Sequence, residues 1–187
     1  MKKMKLSIII LAIPLTIFIL INSLHQAGIR LNVSESEPIG FYLMRTINKQ
    51  SIIQRNDLIE FCPNIKQKDF PFVFKGYCPG GVMPFLKHII GIPGDSVKET
   101  DEGVWINKRK IDQSKPINQS KTFGIILPRW RGERTLAQDE YWVYGSGDTK
   151  DSFDSRYYGP IKERQIISIK TGKFKNERII NYGRDKF

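Results

Sequence analysis

The sequence predicts a mostly β domain that follows one N-terminal transmembrane helix, and three observations support this. Residues 6–21 contain no charge and follow three lysines. The rest of the chain holds short runs rich in Val, Ile, Phe, Tyr and Trp, separated by Gly, Pro, Asn and Asp, which is typical of β-strands joined by turns. Beyond residue 24, no stretch of ten or more residues shows a strong helical period of 3.6 in its apolar positions.

The first 24 residues have the charge and length of a membrane anchor. Sixteen uncharged residues are short for a full span, but residues 22–24 extend the run to roughly the 17–20 that a bilayer requires. Because lysines precede the run, its N-terminus is predicted in the cytoplasm. We therefore expect residues 1–24 to be a cytoplasmic tail and signal anchor in the inner (cytoplasmic) membrane. Residues 25–187 are then an extracytoplasmic, β-rich domain.

A cleavable signal peptide is the competing interpretation of this segment. Its cleavage site should carry small residues, and residues 23–27 (Ser-Leu-His-Gln-Ala) match that requirement poorly. Hydrophobicity on all sides of the helix also argues against a helix of a soluble core. The prediction is therefore an anchor that is retained.

Extended structure is predicted for most of the remaining chain. Residues 32–42 come first, where alternation would place the Ser34 and Ser36 hydroxyls on one side. Residues 63–81 and 112–138 are predicted to be long loops or small insertions. The predicted strands are residues 57–62, 85–92, 96–99, 104–107, 124–127, 139–145 and 165–170.

Lys87 lies inside the predicted strand at residues 85–92, which is otherwise apolar and β-branched. Alternation places Lys87 on one face between Phe85 and Ile89, and places His88 on the other face. Burial there would lower the pKa of the lysine, as a general base near neutral pH requires. The alternative is a lysine at a strand edge whose amine extends to water.

Two further patterns have ordinary interpretations when taken alone. Asp154 and Arg156, two residues apart, could pair on one strand face, which at a surface is worth under about 1 kcal/mol. Cys62 and Cys78 are the two cysteines of the chain. In an oxidising compartment they could form one disulfide, which closes a loop of about 15 residues and contributes on the order of 3 kcal/mol.

The net charge of +11 favours acidic binding partners but does not identify one. Without the three lysines of residues 1–24, the exported part carries +8. A basic domain beside a bilayer suits an anionic lipid surface. The same charge could attract nucleic acid, or it could be a compositional bias without a partner. The basic residues are scattered among acidic ones, so no specific nucleic acid is expected. The two histidines and two cysteines do not form a cluster with ligand spacing, so neither a metal nor another cofactor is expected.

Three stretches, taken together and in order, resemble the type I signal peptidases, most closely their conjugative-transfer (TraF-type) branch. The first is Asn-x-Ser-x-Ser-x-Pro-x-Gly-x-Tyr at residues 32–42. The second is Lys-His-Ile-Ile-Gly-Ile-Pro-Gly-Asp at residues 87–95, which Cys-Pro-Gly-Gly precedes. The third is Ser-Phe-Asp-Ser-Arg-Tyr-Tyr-Gly-Pro-Ile at residues 152–161. The resemblance implies a signal-peptidase-like β-core behind the anchor.

The resemblance also implies a role for each matching residue. Ser36 falls on the nucleophile and Lys87 on the general base of a Ser-Lys dyad. Ser34 falls on the residue whose hydroxyl helps to form the oxyanion hole. The family has arginine where this chain has His88. A competing Ser36/His88 pair is disfavoured, because His88 is predicted on the strand face opposite Lys87.

A supporting group of residues follows from the third stretch. Asp154 and Arg156 fall on a charged pair that holds the site together, and Asp148 and Ser152 fall near it. Two departures from the general signal-peptidase pattern fit the transfer-type branch. Pro38 follows the nucleophile by two residues rather than three, and the spacing from Asp148 to Asp154 is one residue shorter.

The predicted function is a membrane-anchored serine endopeptidase that cleaves exported precursor proteins, with a pilin subunit of a conjugative transfer or type IV secretion system as the expected substrate. Membrane lipid and a transfer or secretion apparatus are the other expected partners. One alternative is a general signal peptidase that acts on many secretory precursors. The other is a catalytically silent β-domain that scaffolds a secretion complex or binds DNA at the membrane. Reaction of Ser36 with an acylating inhibitor separates an enzyme from a scaffold.

Overall fold

The computed structural model describes residues 2–120, 123–146 and 151–171, with side chains from residue 12 onward. Asp148 lies outside the described residues. The predicted mostly β architecture is confirmed, since this part of the chain contains eleven strands and two α-helices. In chain order they are α1 (Lys2–Gln26), β1 (Ile29–Asn32), β2 (Gly40–Thr46), β3 (Leu58–Phe61), β4 (Phe85–Gly91), β5 (Ser96–Thr100), β6 (Gly103–Ile106), β7 (Arg109–Lys110), β8 (Gly132–Thr135), β9 (Glu140–Tyr144), α2 (Ser155–Tyr158), β10 (Ile161–Lys162) and β11 (Ile166–Lys170).

Within the described residues the strands form two antiparallel sheets. The larger has seven strands in the order β1-β2-β11-β3-β4-β9-β10, and the smaller has four in the order β7-β6-β5-β8. In the larger sheet β4 pairs with β3 on one side and with β9 on the other. The strand that carries Lys87 is therefore an internal strand.

Both faces of β4 are buried in the core of the domain. Ile89 and Ile90 are both fully buried, but their side chains belong to different clusters. Ile90 packs in a cluster with Val97 of the smaller sheet and Trp142 of β9. Ile89 packs in a cluster with Val143 and other residues of the larger sheet. A strand buried on both faces loses the alternation of polar and apolar residues.

Six of the seven predicted strands are confirmed, and the seventh, at residues 124–127, is wrong. Ile126 there makes an isolated bridge to Gln119, and its side chain is 80% exposed. Five strands were not predicted, namely β1, β2, β7, β8 and β10. In β8 all four residues are exposed, so no buried face marks the sequence as a strand. β8 is a strand because it pairs with β5.

α1 ends beside the larger sheet. The guanidinium of Arg30 on β1 donates to the carbonyl of His25 at 2.8 Å, which ties the end of the helix to the domain. From residue 12 onward, large apolar side chains of α1 are exposed, including Phe18 at 64%. In the part of the chain that the structure describes, no helix is both long enough and apolar enough to cross a membrane. The anchor at residues 1–24 stays a prediction.

A disulfide joins Cys62, directly after β3, to Cys78. It closes the segment that the sequence predicts as a long loop, and the two Cα atoms lie 5.4 Å apart. Cys78 packs with Val73 and Val82 in a small cluster against Phe85 of β4. The cross-link therefore holds this loop against the strand that carries Lys87.

Glu99 on β5 is a carboxylate buried at 2% exposure. Arg129 Nε donates to its Oε1 at 3.2 Å, while Oε2 has no hydrogen-bond partner among the described residues. Burial raises the pKa of Glu99 from 4.5 to about 8, although the neighbouring Arg129 lowers it. The folded protein thus binds a proton here that the unfolded chain releases near pH 4.5.

We expect this proton to make stability depend on pH. Because the folded-state pKa is raised, the contribution of Glu99 is complete below pH 4.5 and is lost as pH rises through about 8. The free energy of unfolding of the parent should fall across this range, by on the order of a few kcal/mol, more steeply than that of Glu99→Gln. Denaturant unfolding of both proteins at several pH values measures this difference. Equal pH slopes for the two would contradict it.

Candidate active site

The loop between β1 and β2 carries Ser34 and Ser36, and Asn32 organises it. The buried side-chain amide of Asn32 donates to the carbonyls of Ser34, Glu37 and Pro38 at 2.8, 3.0 and 3.1 Å. Its Oδ1 accepts the Ser34 N–H at 3.1 Å. One side chain therefore satisfies several backbone groups of a loop that has no sheet partners.

The backbone of this loop turns where an extended segment was predicted. The N–H of Glu37 donates to the carbonyl of Ser34 at 3.4 Å, which closes a turn over residues 34–37. The Ser34 and Ser36 hydroxyl oxygens lie 2.8 Å apart, and the Ser36 N–H donates to Ser34 Oγ at 3.3 Å. The expected proximity of the hydroxyls is present, but the turn produces it rather than strand alternation.

Lys87 on β4 meets this loop. Its Nζ is hydrogen-bonded to Ser36 Oγ, across 51 residues of sequence. The lysine is 5% exposed and lies on an internal strand, so the alternative of an edge lysine extending to water is wrong. Nζ also lies 5.8 Å from the centre of the Phe85 ring.

The surroundings of Lys87 favour its neutral form. Burial lowers the pKa of the lysine, because the charged ammonium loses its hydration. The carboxylates of Glu37 and Asp154 oppose this effect, and the Arg156 guanidinium adds to it. The net direction is downward, so a neutral amine in contact with a serine hydroxyl forms at lower pH than for an ordinary lysine. That is the requirement for a general base.

Glu37 is a site residue that the sequence did not single out. Its carboxylate is 1% exposed and accepts the backbone N–H of Ser146 at 3.1 Å and the Ser146 hydroxyl. Its Oε1 also lies 3.1 Å from His88 Nδ1. His88 therefore contacts Glu37 rather than Ser36. No sequence signal marks Glu37, because its partners His88 and Ser146 lie 51 and 109 residues away in the chain.

Asp154 and Arg156 form a fully buried ion pair, and each is 0% exposed. The guanidinium binds at two points, from Nε to Oδ1 at 2.8 Å and from Nη2 to Oδ2 at 2.9 Å. Asp154 also caps α2 by accepting the Arg156 N–H at 3.2 Å, and it accepts the Gly145 N–H at 3.3 Å. The interpretation as a pair on one strand face or at the surface is therefore wrong.

Ser152 and Gly145 lie where the third stretch approaches the loop that carries Ser36. Ser152 is 2% exposed, and its carbonyl accepts from Arg156 Nη2 at 2.8 Å. A Cβ on Gly145 would lie 2.3 Å from Ser152 Oγ and 2.9 Å from the Ser36 carbonyl oxygen. The close approach of these segments therefore requires glycine at position 145.

A family model described as signal peptidase, peptidase S26, matches residues 2–174. The chain therefore belongs to the signal peptidase family S26, and the resemblance seen in its three motifs is confirmed. Within the family it is of the TraF type. Plasmid transfer protein TraF from Escherichia coli is 30% identical over 151 residues, which are 78% of this chain and 82% of the relative.

Further relatives include both transfer proteins and signal peptidases. Conjugal transfer protein TraF from Agrobacterium tumefaciens (strain 15955) is 28% identical over 147 residues, or 76% of this chain and 80% of the relative. Signal peptidase I V from Bacillus subtilis (strain 168) is 28% identical over 91 residues, or 45% of this chain and 54% of the relative. The crystal structure of a signal peptidase I from Enterococcus faecalis V583 matches with a TM-score of 0.34 and 24% identity, covering 62% of this chain and 94% of that one.

Proposed function

We propose that this protein is a serine endopeptidase in which Ser36 is the nucleophile and Lys87 the general base. The observation that carries the proposal is the hydrogen bond between Ser36 Oγ and the buried Lys87 Nζ. A serine hydroxyl is a weak nucleophile until a base removes its proton, and a lysine can do this once its pKa is lowered. Membership of a peptidase family supports the same assignment.

The reaction proceeds through an acyl-enzyme. Neutral Lys87 accepts the Ser36 proton while Oγ forms a bond to the scissile carbonyl carbon. The C–N bond of the tetrahedral intermediate then breaks, and the Lys87 ammonium gives its proton to the leaving amine. Water, or the amine of another peptide end, then attacks the ester carbonyl carbon while Lys87 accepts its proton. The C–Oγ bond breaks, and Lys87 returns the proton to Ser36 Oγ.

Ser34 is the proposed donor to the oxyanion of that intermediate. Its hydroxyl lies 2.8 Å from Ser36 Oγ and already accepts the Ser36 N–H at 3.3 Å. When the carbonyl oxygen of the substrate lies between the Ser34 hydroxyl and the Ser36 N–H, both groups can donate to it. Donors aimed at developing negative charge stabilise the transition state by about 3–4 kcal/mol each.

The proposed substrate is an exported precursor protein, specifically a pilin subunit of a conjugative transfer or type IV secretion system. The similarity to plasmid transfer protein TraF supports this context.

We also propose that residues 1–24 anchor the enzyme in the inner membrane with residues 25–187 outside the cytoplasm. Three lysines precede the apolar run, and the apolar side chains of α1 that the structure describes are exposed.

A general signal peptidase is the second candidate, and the similarity to the Bacillus subtilis enzyme favours it. Both candidates use the same residues, so a comparison of substrates separates them. Detergent-solubilised protein and its Ser36→Ala variant are incubated with a pilin precursor and with an unrelated secretory precursor, and product masses are measured.

We expect the parent to cleave the pilin precursor, the unrelated precursor to remain intact, and Ser36→Ala to act on neither. Cleavage of both precursors favours the general signal peptidase. A pilin product lighter than the cleaved chain by one water indicates that a peptide amine resolves the acyl-enzyme. Activity in Ser36→Ala contradicts Ser36 as the nucleophile. Activity in neither protein contradicts the proposal and favours a scaffold.

A further inference from the structure

We propose that Glu37 is a positioning residue, which holds the Ser36 hydroxyl against the Lys87 amine through a buried junction with His88 and Ser146. The inference rests on the proposed roles of Ser36 and Lys87. It assigns a function to the residue between the nucleophile and Pro38, at a position that the three motifs leave open.

The junction connects three separate parts of the chain. Glu37 lies in the loop after β1, His88 lies on β4, and Ser146 follows β9. Glu37 accepts the Ser146 N–H at 3.1 Å and the Ser146 hydroxyl, and Oε1 lies 3.1 Å from His88 Nδ1. These contacts bridge 109 and 51 residues of sequence, so they form only in the folded domain.

Burial makes these contacts costly to lose. Glu37 is 1% exposed, His88 7% and Ser146 9%, so water does not replace a missing partner easily. A buried polar group that loses its partner destabilises the folded state, and a charged one does so more strongly. The loop therefore has a strong preference for the position in which Glu37 reaches both neighbours.

Covalent geometry transmits this preference to the nucleophile. Ser36 is the next residue to Glu37, and its side chain meets Lys87 while Glu37 meets His88. On β4 the side chains of Lys87 and His88 point to opposite faces. The loop is thus fixed to both faces of one strand at adjacent positions, which sets the distance from Oγ to Nζ.

Glu37 also contributes charge to the site. The charged groups that act on Lys87 are Glu37, Asp154 and Arg156, and the two carboxylates stabilise its ammonium form. Among the residues that the structure describes, the titratable groups that face Glu37 are Lys87 and His88. Removing the negative charge of Glu37 should therefore lower the pKa of Lys87 further.

Two substitutions separate position from charge. Glu37→Ala removes all contacts of the junction, and we expect kcat/KM to fall by about 10²-fold, as a displacement of about 1 Å can cause. Glu37→Gln retains the shape and removes the charge, so the acidic limb of the profile of kcat/KM against pH should move to lower pH. A merely structural role would lower activity at every pH without moving that limb.

The matched control is Glu140→Gln on β9. Glu140 is also a buried carboxylate that accepts a backbone N–H, from Ala137 at 3.0 Å. It lies at the opposite end of the strand from Ser146, so we expect kcat/KM and its pH profile to remain those of the parent. A shift as large as that of Glu37→Gln would overturn the assignment to Glu37.

A double-mutant cycle tests whether Glu37 acts through Ser146. Ser146→Ala alone should lower kcat/KM, and it should add little in the Glu37→Ala background, because the contact is already gone. Multiplicative losses would overturn the junction. Full activity in Glu37→Ala would overturn the proposal even if Ser146→Ala lowers activity.

A measurement without substrate separates this inference from the proposed function. Titration of Lys87 by NMR of ¹³Cε-labelled lysine, with the signal assigned from Lys87→Arg, reports the pKa of the amine directly. A lower pKa in Glu37→Gln than in the parent supports the inference even if the parent cleaves nothing. An unchanged pKa overturns it even if the parent is a fully active peptidase.

Discussion

Replacing Lys87 by arginine is expected to lower turnover by about 10³-fold or more while the protein remains folded. A guanidinium stays protonated at any working pH, so it cannot accept the Ser36 proton. General-base catalysis by a positioned side chain typically contributes 10²–10⁴-fold. The contact between Nζ and Ser36 Oγ is the route of proton transfer that the substitution removes. Single-turnover cleavage of the precursor, followed by mass spectrometry, measures the loss.

Lys98→Arg on β5 is the matched control for this substitution. The Lys98 side chain is 51% exposed and pairs with Glu133 at the surface, so the same chemical change there should leave turnover intact. The thermal unfolding of both variants shows whether they fold. A folded Lys87→Arg protein that retains activity would remove Lys87 as the base.

The second large effect is expected from Asp154→Ala, which should lower the free energy of unfolding by about 3–5 kcal/mol. The substitution leaves Arg156 charged and 0% exposed without its carboxylate. It also removes the cap of α2 and the acceptor of the Gly145 N–H. Urea unfolding of parent and variant measures the difference in stability.

Asp139→Ala provides the comparison, because it also deletes an aspartate from an ion pair. The Asp139 side chain is 50% exposed and contacts Lys162 at 2.9 Å, and an ion pair in contact with solvent contributes little to stability. If Asp154→Ala lowers the free energy of unfolding no more than Asp139→Ala does, the buried pair does not stabilise the domain as expected.

The parts of the fold that the sequence predicts are those in which burial leaves a pattern. β4 is internal and buried on both faces, and apolar residues at both odd and even positions mark it in the sequence. β8 has four exposed residues and exists because β5 pairs with it, so its own sequence holds no signal. The turn at residues 34–37 depends on the Asn32 side chain, and alternation alone therefore predicts an extended segment.

The site could be predicted to the extent that its residues lie in motifs. Ser36 and Lys87 lie in separate stretches, and from the sequence only the resemblance to a family relates them. The structure shows that they are in contact. Glu37 could not be assigned, because its role depends on meeting Ser146, which is 109 residues away. Burial of Asp154 and Arg156 is likewise a property of the assembled domain, which a spacing of two residues does not reveal.

The most direct test of the central claim is to locate the covalent adduct that an active-site-directed acylating reagent forms. Parent and Lys87→Arg proteins are treated for the same time, digested and mapped by mass spectrometry. The account predicts one acyl group on Ser36 of the parent and none on Ser36 of the variant. An unmodified Ser36 in the parent, or an adduct on Ser34 instead, would contradict it.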